Sequence, residues 1–123
     1  MIRALLLLVV LAAPAAAQRP HCGFGLGLQA LREADRALRA GSVAPDLPAG
    51  RAAAEAAAAA LKVSLGQFHG CGCAQVIQPV QDAAGLVEQA SIETTTDRIR
   101  RVLERARFSL DLARQRLDRE GCR

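Results

Sequence analysis

The sequence predicts an all-α fold, an up-down-up-down four-helix bundle made of two disulfide-closed helical hairpins. Apolar residues recur every three or four positions in four segments, which is the periodicity of a helix face, and no segment alternates with the period of a strand. Stretches rich in Gly, Pro or polar residues separate these segments. Equal numbers of residues separate Cys22 from Cys71 and Cys73 from Cys122, so the central Cys-Gly-Cys divides the chain into two matching arms.

The first residues predict a cleaved secretory signal peptide over 1–17. Arg3 gives a positive start, a continuous apolar run covers 4–13, and small residues at 15–17 provide a cleavage site. The run is shorter than the roughly 20 apolar residues that span a bilayer, so we expect no stable membrane insertion after cleavage. The mature chain, 18–123, is expected to form a single helical-bundle domain.

The composition predicts a core that benefits from covalent support. The chain has three Phe and neither Trp nor Tyr, so Leu, Val, Ile and Ala must fill the core. A small domain with such a core buries limited apolar area, and disulfides are a common means of stabilising it. Four cysteines in an exported chain, with none left over, are typical of a disulfide framework.

The first predicted helix covers about 26–40. Its apolar stripe contains Leu28, Leu31, Ala34 and Leu38, and Gly41 is predicted to end it. The opposite, solvated face is predicted to hold the charged residues Arg32, Glu33, Asp35, Arg36 and Arg39.

A turn over 41–48 leads to the second predicted helix, at about 49–68. Alanine fills 52–60 except for Glu55, and Ala has the highest helix propensity. Leu61, Leu65 and Phe68 continue the apolar stripe, while Gly66 and Gly70 are expected to weaken the end of the helix so that the chain can turn.

The third predicted helix starts just after Cys73 and runs to about Ala90. Pro79 is tolerated only in the first turn or as a kink, so the regular part is expected to begin near Gln78. The apolar stripe consists of Val76, Val80, Ala83, Val87 and Ala90.

The fourth predicted helix has the most regular pattern. The polar and β-branched residues 91–97 are expected to form a turn and a helix start, with Thr96 or Ser91 as the cap. The helix is expected to end near Glu120, with Gly121 as the stop. Its apolar stripe is unbroken and consists of Ile99, Val102, Leu103, Ala106, Leu110, Ala113 and Leu117.

Four helices with short connections favour an up-down-up-down bundle, in which all four cysteines lie at one pole. We therefore favour the pairs Cys22–Cys71 and Cys73–Cys122, each closing one arm. The crossed pairs, Cys22 with Cys73 and Cys71 with Cys122, are the main alternative. A Cys71–Cys73 bond, leaving Cys22 with Cys122, would close a small strained ring and is disfavoured.

A metal site is a second hypothesis for the same pole. Thiolates suit soft ions such as Cu(I), and imidazole suits copper or zinc. A single residue between paired cysteines is atypical, since structural zinc sites usually space them two to four apart. Thiol redox catalysis by the Cys71-Gly72-Cys73 unit is a third hypothesis, although no Lys or Arg adjoins this unit to lower a thiol pKa. The candidate metal ligands are His21, Cys22, His69, Cys71, Cys73 and Cys122.

The arginine-rich segment 98–123 favours a solvated face over nucleic-acid binding. Acids lie three or four residues from arginines, for example Glu104 before Arg107 and Asp111 before Arg114, a spacing that forms ion pairs along a helix. An exported protein also meets little nucleic acid. Weak attraction to acidic lipid headgroups or to an acidic protein is the alternative.

The residues predict a binding or structural role and no enzyme. No Ser/His/Asp set, paired-carboxylate cleft or phosphate loop can be assembled, and no cofactor is expected. We expect a small exported protein of the bacterial cell envelope, in the periplasm or secreted; the short signal and the Arg/Ala-rich composition favour a bacterial source. Its protein partner is unknown, a homodimer is one option, and a periplasmic copper or zinc binding protein is the alternative function.

Overall fold

The computed structural model describes residues 22–122 and contains four α-helices in this range. No strand occurs among these residues, so the all-α prediction is confirmed. The predicted signal peptide, 1–17, and His21 lie outside the described residues. The helices are α1 (Phe24–Ser42), α2 (Leu47–Cys71), α3 (Ala74–Ser91) and α4 (Thr96–Glu120).

Glycines that were expected to stop or weaken helices lie inside them. Gly41 is buried within α1, and a Cβ atom at this position would lie 2.3 Å from Leu103 Cδ1. The glycine therefore permits close contact between α1 and α4, and the prediction that it ends the helix is wrong. Gly66 and Gly70 likewise lie within α2, which ends at Cys71. The C-cap of this helix is Gly72, which adopts the left-handed conformation with a φ of 70°.

Side-chain caps define the beginnings of α2 and α4. Asp46 Oδ1 accepts a hydrogen bond from the backbone N–H three residues later at 2.8 Å, and Thr95 Oγ1 does the same at 3.3 Å. The predicted caps of the fourth helix, Thr96 and Ser91, are therefore wrong. Thr95 has the extended backbone that a cap requires, whereas Thr96 is already helical and Ser91 is the last residue of α3.

Pro79 lies inside α3 without delaying its start. The helix begins at Ala74, earlier than the expected regular part near Gln78. Proline has no N–H for the carbonyl four residues before it, here that of Gln75. Arg116 of α4 replaces the missing donor, since its Nη1 donates to the Gln75 carbonyl at 3.1 Å. A neighbouring helix thus satisfies the oxygen that the proline leaves free.

The four helices pack as a bundle. Each helix packs against the next one along the chain and α4 packs back against α1, whereas α1 and α3 have no close backbone approach within 22–122. Short connections and disulfides join consecutive helices at alternate ends. The packing therefore fits the predicted up-down-up-down arrangement.

The predicted apolar stripes of the third and fourth helices are confirmed. Both face the core completely, and every residue predicted for them is buried. Burial of these side chains and of the α1 and α2 stripes is the main stabilising contribution inside the bundle. The largest fully buried residues are Phe68, Leu31, Leu38, Leu61, Ile99, Leu103 and Leu110.

The two hairpins form a structural repeat with a spacing of 49 residues, the separation of the bonded cysteines. Ser42 and Ser91, at this spacing, end α1 and α3, and each hydroxyl donates to the carbonyl three residues earlier. The caps Asp46 and Thr95 have the same spacing. The hairpins therefore share their local architecture although few of their residues are identical.

A reciprocal pair of arginines braces the pole opposite the cysteines. Arg51 of α2 donates to the Glu93 carbonyl in the α3–α4 connection at 3.3 Å. Arg100 of α4, again 49 residues later, donates through Nε to the Ala44 carbonyl in the α1–α2 connection at 2.7 Å. Each hairpin thus satisfies a backbone oxygen in the turn of the other, which fixes the two hairpins relative to each other.

Candidate functional site at the cysteine pole

Two disulfides lie at one pole of the bundle, and they are the pairs favoured from the sequence. Cys22 is bonded to Cys71 and Cys73 to Cys122, with Cα–Cα distances of 4.6 and 4.8 Å. The crossed pairing and the Cys71–Cys73 bond are therefore ruled out. Each bond joins the two ends of one helical hairpin, as the equal arms of the sequence predict.

The chain between the two central cysteines reverses direction through a glycine cap. Gly72 adopts a left-handed conformation and its N–H donates to the His69 carbonyl at 3.3 Å. The Cys73 N–H donates to the Phe68 carbonyl at 3.2 Å, so the last carbonyls of α2 are satisfied. One residue therefore separates a cysteine of the first hairpin from a cysteine of the second.

The two disulfides differ in their access to solvent. Cys22 is exposed and Cys71 is half-buried, so the first bond lies at the surface. Cys73 is completely buried in the core, and Cys122 is half-buried. The Gln75 side chain also donates to the Gly121 carbonyl, which holds the end of α4 against α3. The second bond is therefore the inner and better protected one.

The histidine and cysteine residues of the metal hypothesis do not form a ligand set in the described structure. Within 22–122, no three His, Cys, Asp or Glu side chains are positioned to hold a metal ion. His69 is exposed beside the inner disulfide. A disulfide sulfur is not the thiolate that soft metals bind, so a thiolate site would require reduction. The hypothesis stays a prediction.

A shallow hollow of about 260 Å³ lies at the same pole. It is mostly apolar and includes the exposed His69 imidazole at its rim. Among residues 22–122, no charged one lines it. Its lining residues are Phe68, His69, Gly72, Cys73, Ala74 and Ile77.

A buried carboxylate lies at the α1–α4 contact, where the sequence predicts a solvated residue. Asp35, predicted on the solvated face of α1, is only 6% exposed. Its Oδ2 lies 2.7 Å from Arg39 Nε and 3.6 Å from Arg114 Nη1. The hydrogen bond that Arg39 donates to Asp35, together with the charge of that carboxylate, raises the pKa of Arg39. In the sequence, this burial is indicated by the spacing of four residues between Leu31 and Asp35, which places Asp35 next to the apolar stripe.

This carboxylate also changes the ion pairs predicted for the fourth helix. The Glu104–Arg107 pair forms at 3.2 Å, as predicted. Arg114, expected to pair with Asp111, instead contacts Asp35 of α1. Buried charges require a partner, so the most buried acid takes the arginine that can reach it.

Ser64 is a buried hydroxyl without a hydrogen-bond partner among the described residues. Its counterpart in the second hairpin is Ala113, which is also fully buried. We expect Ser64→Ala to raise the free energy of unfolding by about 1 kcal/mol, because an unsatisfied buried polar group costs about 1–3 kcal/mol. Chemical denaturation followed by circular dichroism measures this change.

Ser109→Ala is the matched control, since Ser109 is half-exposed on α4. Both substitutions gain the higher helix propensity of Ala, so the control isolates the effect of burial. Equal changes for the two variants would show that the Ser64 hydroxyl is satisfied.

No helix of the described range is both long and apolar enough to cross a membrane. Comparison with known proteins returned no matching family model, curated protein or solved structure. The fold and the cysteine pole therefore define the class: a four-helix bundle made of two hairpins, each closed by one disulfide. Disulfides of this kind are typical of non-reducing environments.

Proposed function

We propose that this chain is a small exported helical-bundle protein of the bacterial cell envelope, in the periplasm or secreted, with a structural or protein-binding role and no enzymatic activity. The pairing of all four cysteines in two disulfides carries this proposal. Such bonds form and persist in oxidising compartments. The predicted signal peptide over 1–17 supports the same location.

Exposed apolar side chains support a protein-binding role. Leu26 of α1 and Val63 of α2 are both more than half exposed and border one hollow. Phe108 of α4 is 67% exposed and borders another hollow together with Leu86 of α3. Apolar surface that is grouped in this way is typical of interaction sites. The bundle would act by presenting helix faces that the disulfides hold in place.

Export is tested by expressing the full chain in a bacterial host, separating the cell fractions and measuring the intact mass. We expect a polypeptide that begins at Gln18, found in the periplasm or the medium. Leu7→Arg, which places a charge in the apolar run, should keep the uncleaved chain in the cytoplasm. An uncleaved parent chain in the cytoplasm would contradict the proposal.

The absence of enzymatic activity is tested for the one chemistry that this pole could support, thiol–disulfide exchange. The purified oxidised protein is mixed with insulin and a reductant, and insulin reduction is followed by turbidity. We expect the uncatalysed rate. A catalytic rate that disappears in Cys22→Ala/Cys71→Ala, whose bond is the exposed one, would make the protein an oxidoreductase.

A further inference from the structure

The outer surface of α4 carries an exposed aromatic residue in an otherwise charged face. This residue is Phe108, which is 67% exposed. The other two phenylalanines, Phe24 and Phe68, pack edge-to-face against each other at a centroid distance of 5.9 Å. Each residue of a helix is rotated by about 100° from the previous one, so Phe108 points away from the buried Leu103 and Leu110 stripe. Phe108 is one of the residues that line a hollow of about 510 Å³.

Acidic residues form one edge of this outer face. They recur every seven residues, which is nearly two helical turns, and so lie on one side of Phe108. Arg100 and Arg107, which contact two of them at 3.7 and 3.2 Å, lie further toward α1. The members of this acidic edge are Asp97, Glu104, Asp111 and Asp118.

Basic residues form the other edge, each directly following one of the acids. The residue that follows Asp111 is the exception, since it is Leu112. The edge lies toward α3, since Arg116 on the same side of α4 contacts Gln75 of α3. The members of this basic edge are Arg98, Arg105 and Arg119. The outer face of α4 therefore has a central line of Arg101, Phe108 and Gln115, one heptad apart, between an acidic and a basic border.

We propose that the outer face of α4 binds a second copy of this chain in a parallel, two-fold symmetric dimer. A two-fold axis parallel to α4 brings the acidic edge of each copy against the basic edge of the other. Glu104 then faces Arg105 of the partner subunit, and Phe108 packs on Phe108 of the partner subunit. This inference rests on the proposed function, because it names the partner of a protein-binding bundle.

The charges select this arrangement over the other occupants of the face. In an antiparallel dimer, like edges would meet, and apposed like charges oppose association. An anionic bilayer would meet the acidic edge together with the basic one. A strongly acidic protein would meet the same repulsion. A copy in parallel orientation satisfies both edges at once. Its one like-charge contact on the central line is Arg101 against Arg101 of the partner subunit.

The test is the molar mass of the mature oxidised protein, measured by sedimentation from about 1 µM to about 1 mM, the range of weak to moderate association. We expect a monomer–dimer equilibrium that weakens as salt is raised. Phe108→Asp should yield a monomer throughout. Val43→Asp, a matched change at an exposed apolar residue of the α1–α2 connection, should leave the dimer intact.

A charge exchange tests the parallel orientation. Glu104→Arg and Arg105→Glu alone should each raise the dimer Kd by more than about tenfold, because each creates like-charge contacts. The double variant should restore association, because Arg at position 104 of each subunit then faces Glu at position 105 of the other. Gln115→Cys should also yield a disulfide-linked dimer, because position 115 would face its own copy. Thermal unfolding of each variant controls for misfolding.

A monomer at all concentrations, or a dimer that Val43→Asp abolishes and Phe108→Asp does not, would overturn the inference. If the double charge exchange does not restore association, the parallel arrangement is wrong. Binding to vesicles of anionic lipid that depends on Phe108 would also overturn the inference. None of these results alters the expected export or the thiol state of the protein. Failure of the dimer and failure of the proposed function are therefore distinguishable.

Discussion

Removing both disulfides should unfold this protein at physiological temperature. Each bond closes a loop of about 50 residues, and the loss of chain entropy in the unfolded state stabilises the fold by up to about 4 kcal/mol per bond. Domains of this size have a total stability of about 5–15 kcal/mol. With all four cysteines replaced by Ala, we expect the helical circular dichroism signal to fall steeply at 37 °C.

The two paired variants divide this effect between the bonds. Cys22→Ala/Cys71→Ala should lower the free energy of unfolding by up to about 4 kcal/mol. Cys73→Ala/Cys122→Ala should cost more, since Cys73 is completely buried and its truncation also removes core packing. Urea denaturation gives both values. Unchanged midpoints in the paired variants would show that the hairpins are stable without covalent closure.

Phe68→Ala should have the second largest effect, a loss of about 3–5 kcal/mol of stability. Phe68 is completely buried and packs edge-to-face against Phe24. Gly27 brings α1 close to the ring, since a Cβ at Gly27 would lie 3.1 Å from Phe68 Cζ. The truncation therefore leaves a cavity between α1 and α2, next to the cysteine pole, which urea denaturation would register.

Phe108→Ala is the control for this change, because it is the same substitution at a surface position. Measured at concentrations where the chain is monomeric, it should change the stability by no more than about 0.5 kcal/mol. Equal losses for the two variants would mean that Phe68 is not the packing centre of the first hairpin. A loss below about 1 kcal/mol for Phe68→Ala would contradict the core described above.

The architecture could be predicted because the relevant signals are local or follow from chain length. Apolar periodicity locates the helices, and a helical face needs no knowledge of its partner. The equal arms led to the correct disulfide pairs because short connections bring the ends of consecutive helices together. Geometry at the pole follows from Gly72, the one glycine of this turn with a positive φ.

The errors at Gly41, Pro79 and Asp35 concern residues whose role depends on another helix. Gly41 resembles a helix stop until Leu103 of α4 is placed against it. Pro79 is accepted inside α3 because Arg116 supplies the missing donor. Asp35 is buried because Arg114 reaches it from α4. Each of these contacts joins residues far apart in sequence, which periodicity and spacing do not describe.

The function is less accessible from the sequence than the fold. A site that binds through shape needs no catalytic residues, so it leaves no motif. The proposed dimer face on α4 illustrates this, because its charge spacing alone predicts a solvated surface. Only the bounds of α4 and the exposure of Phe108 show that the two charged edges flank an exposed aromatic ring.

The most direct test of the central claim, an exported bundle stapled by two disulfides, is a count of free thiols with metal analysis. The protein is isolated from the periplasm or medium without reductant, and its bonds are mapped by partial reduction with stepwise alkylation. We predict no free thiol, no bound metal, and the pairs Cys22–Cys71 and Cys73–Cys122. Four free thiols with about one copper or zinc ion per chain would contradict the account and make the cysteine pole a metal site.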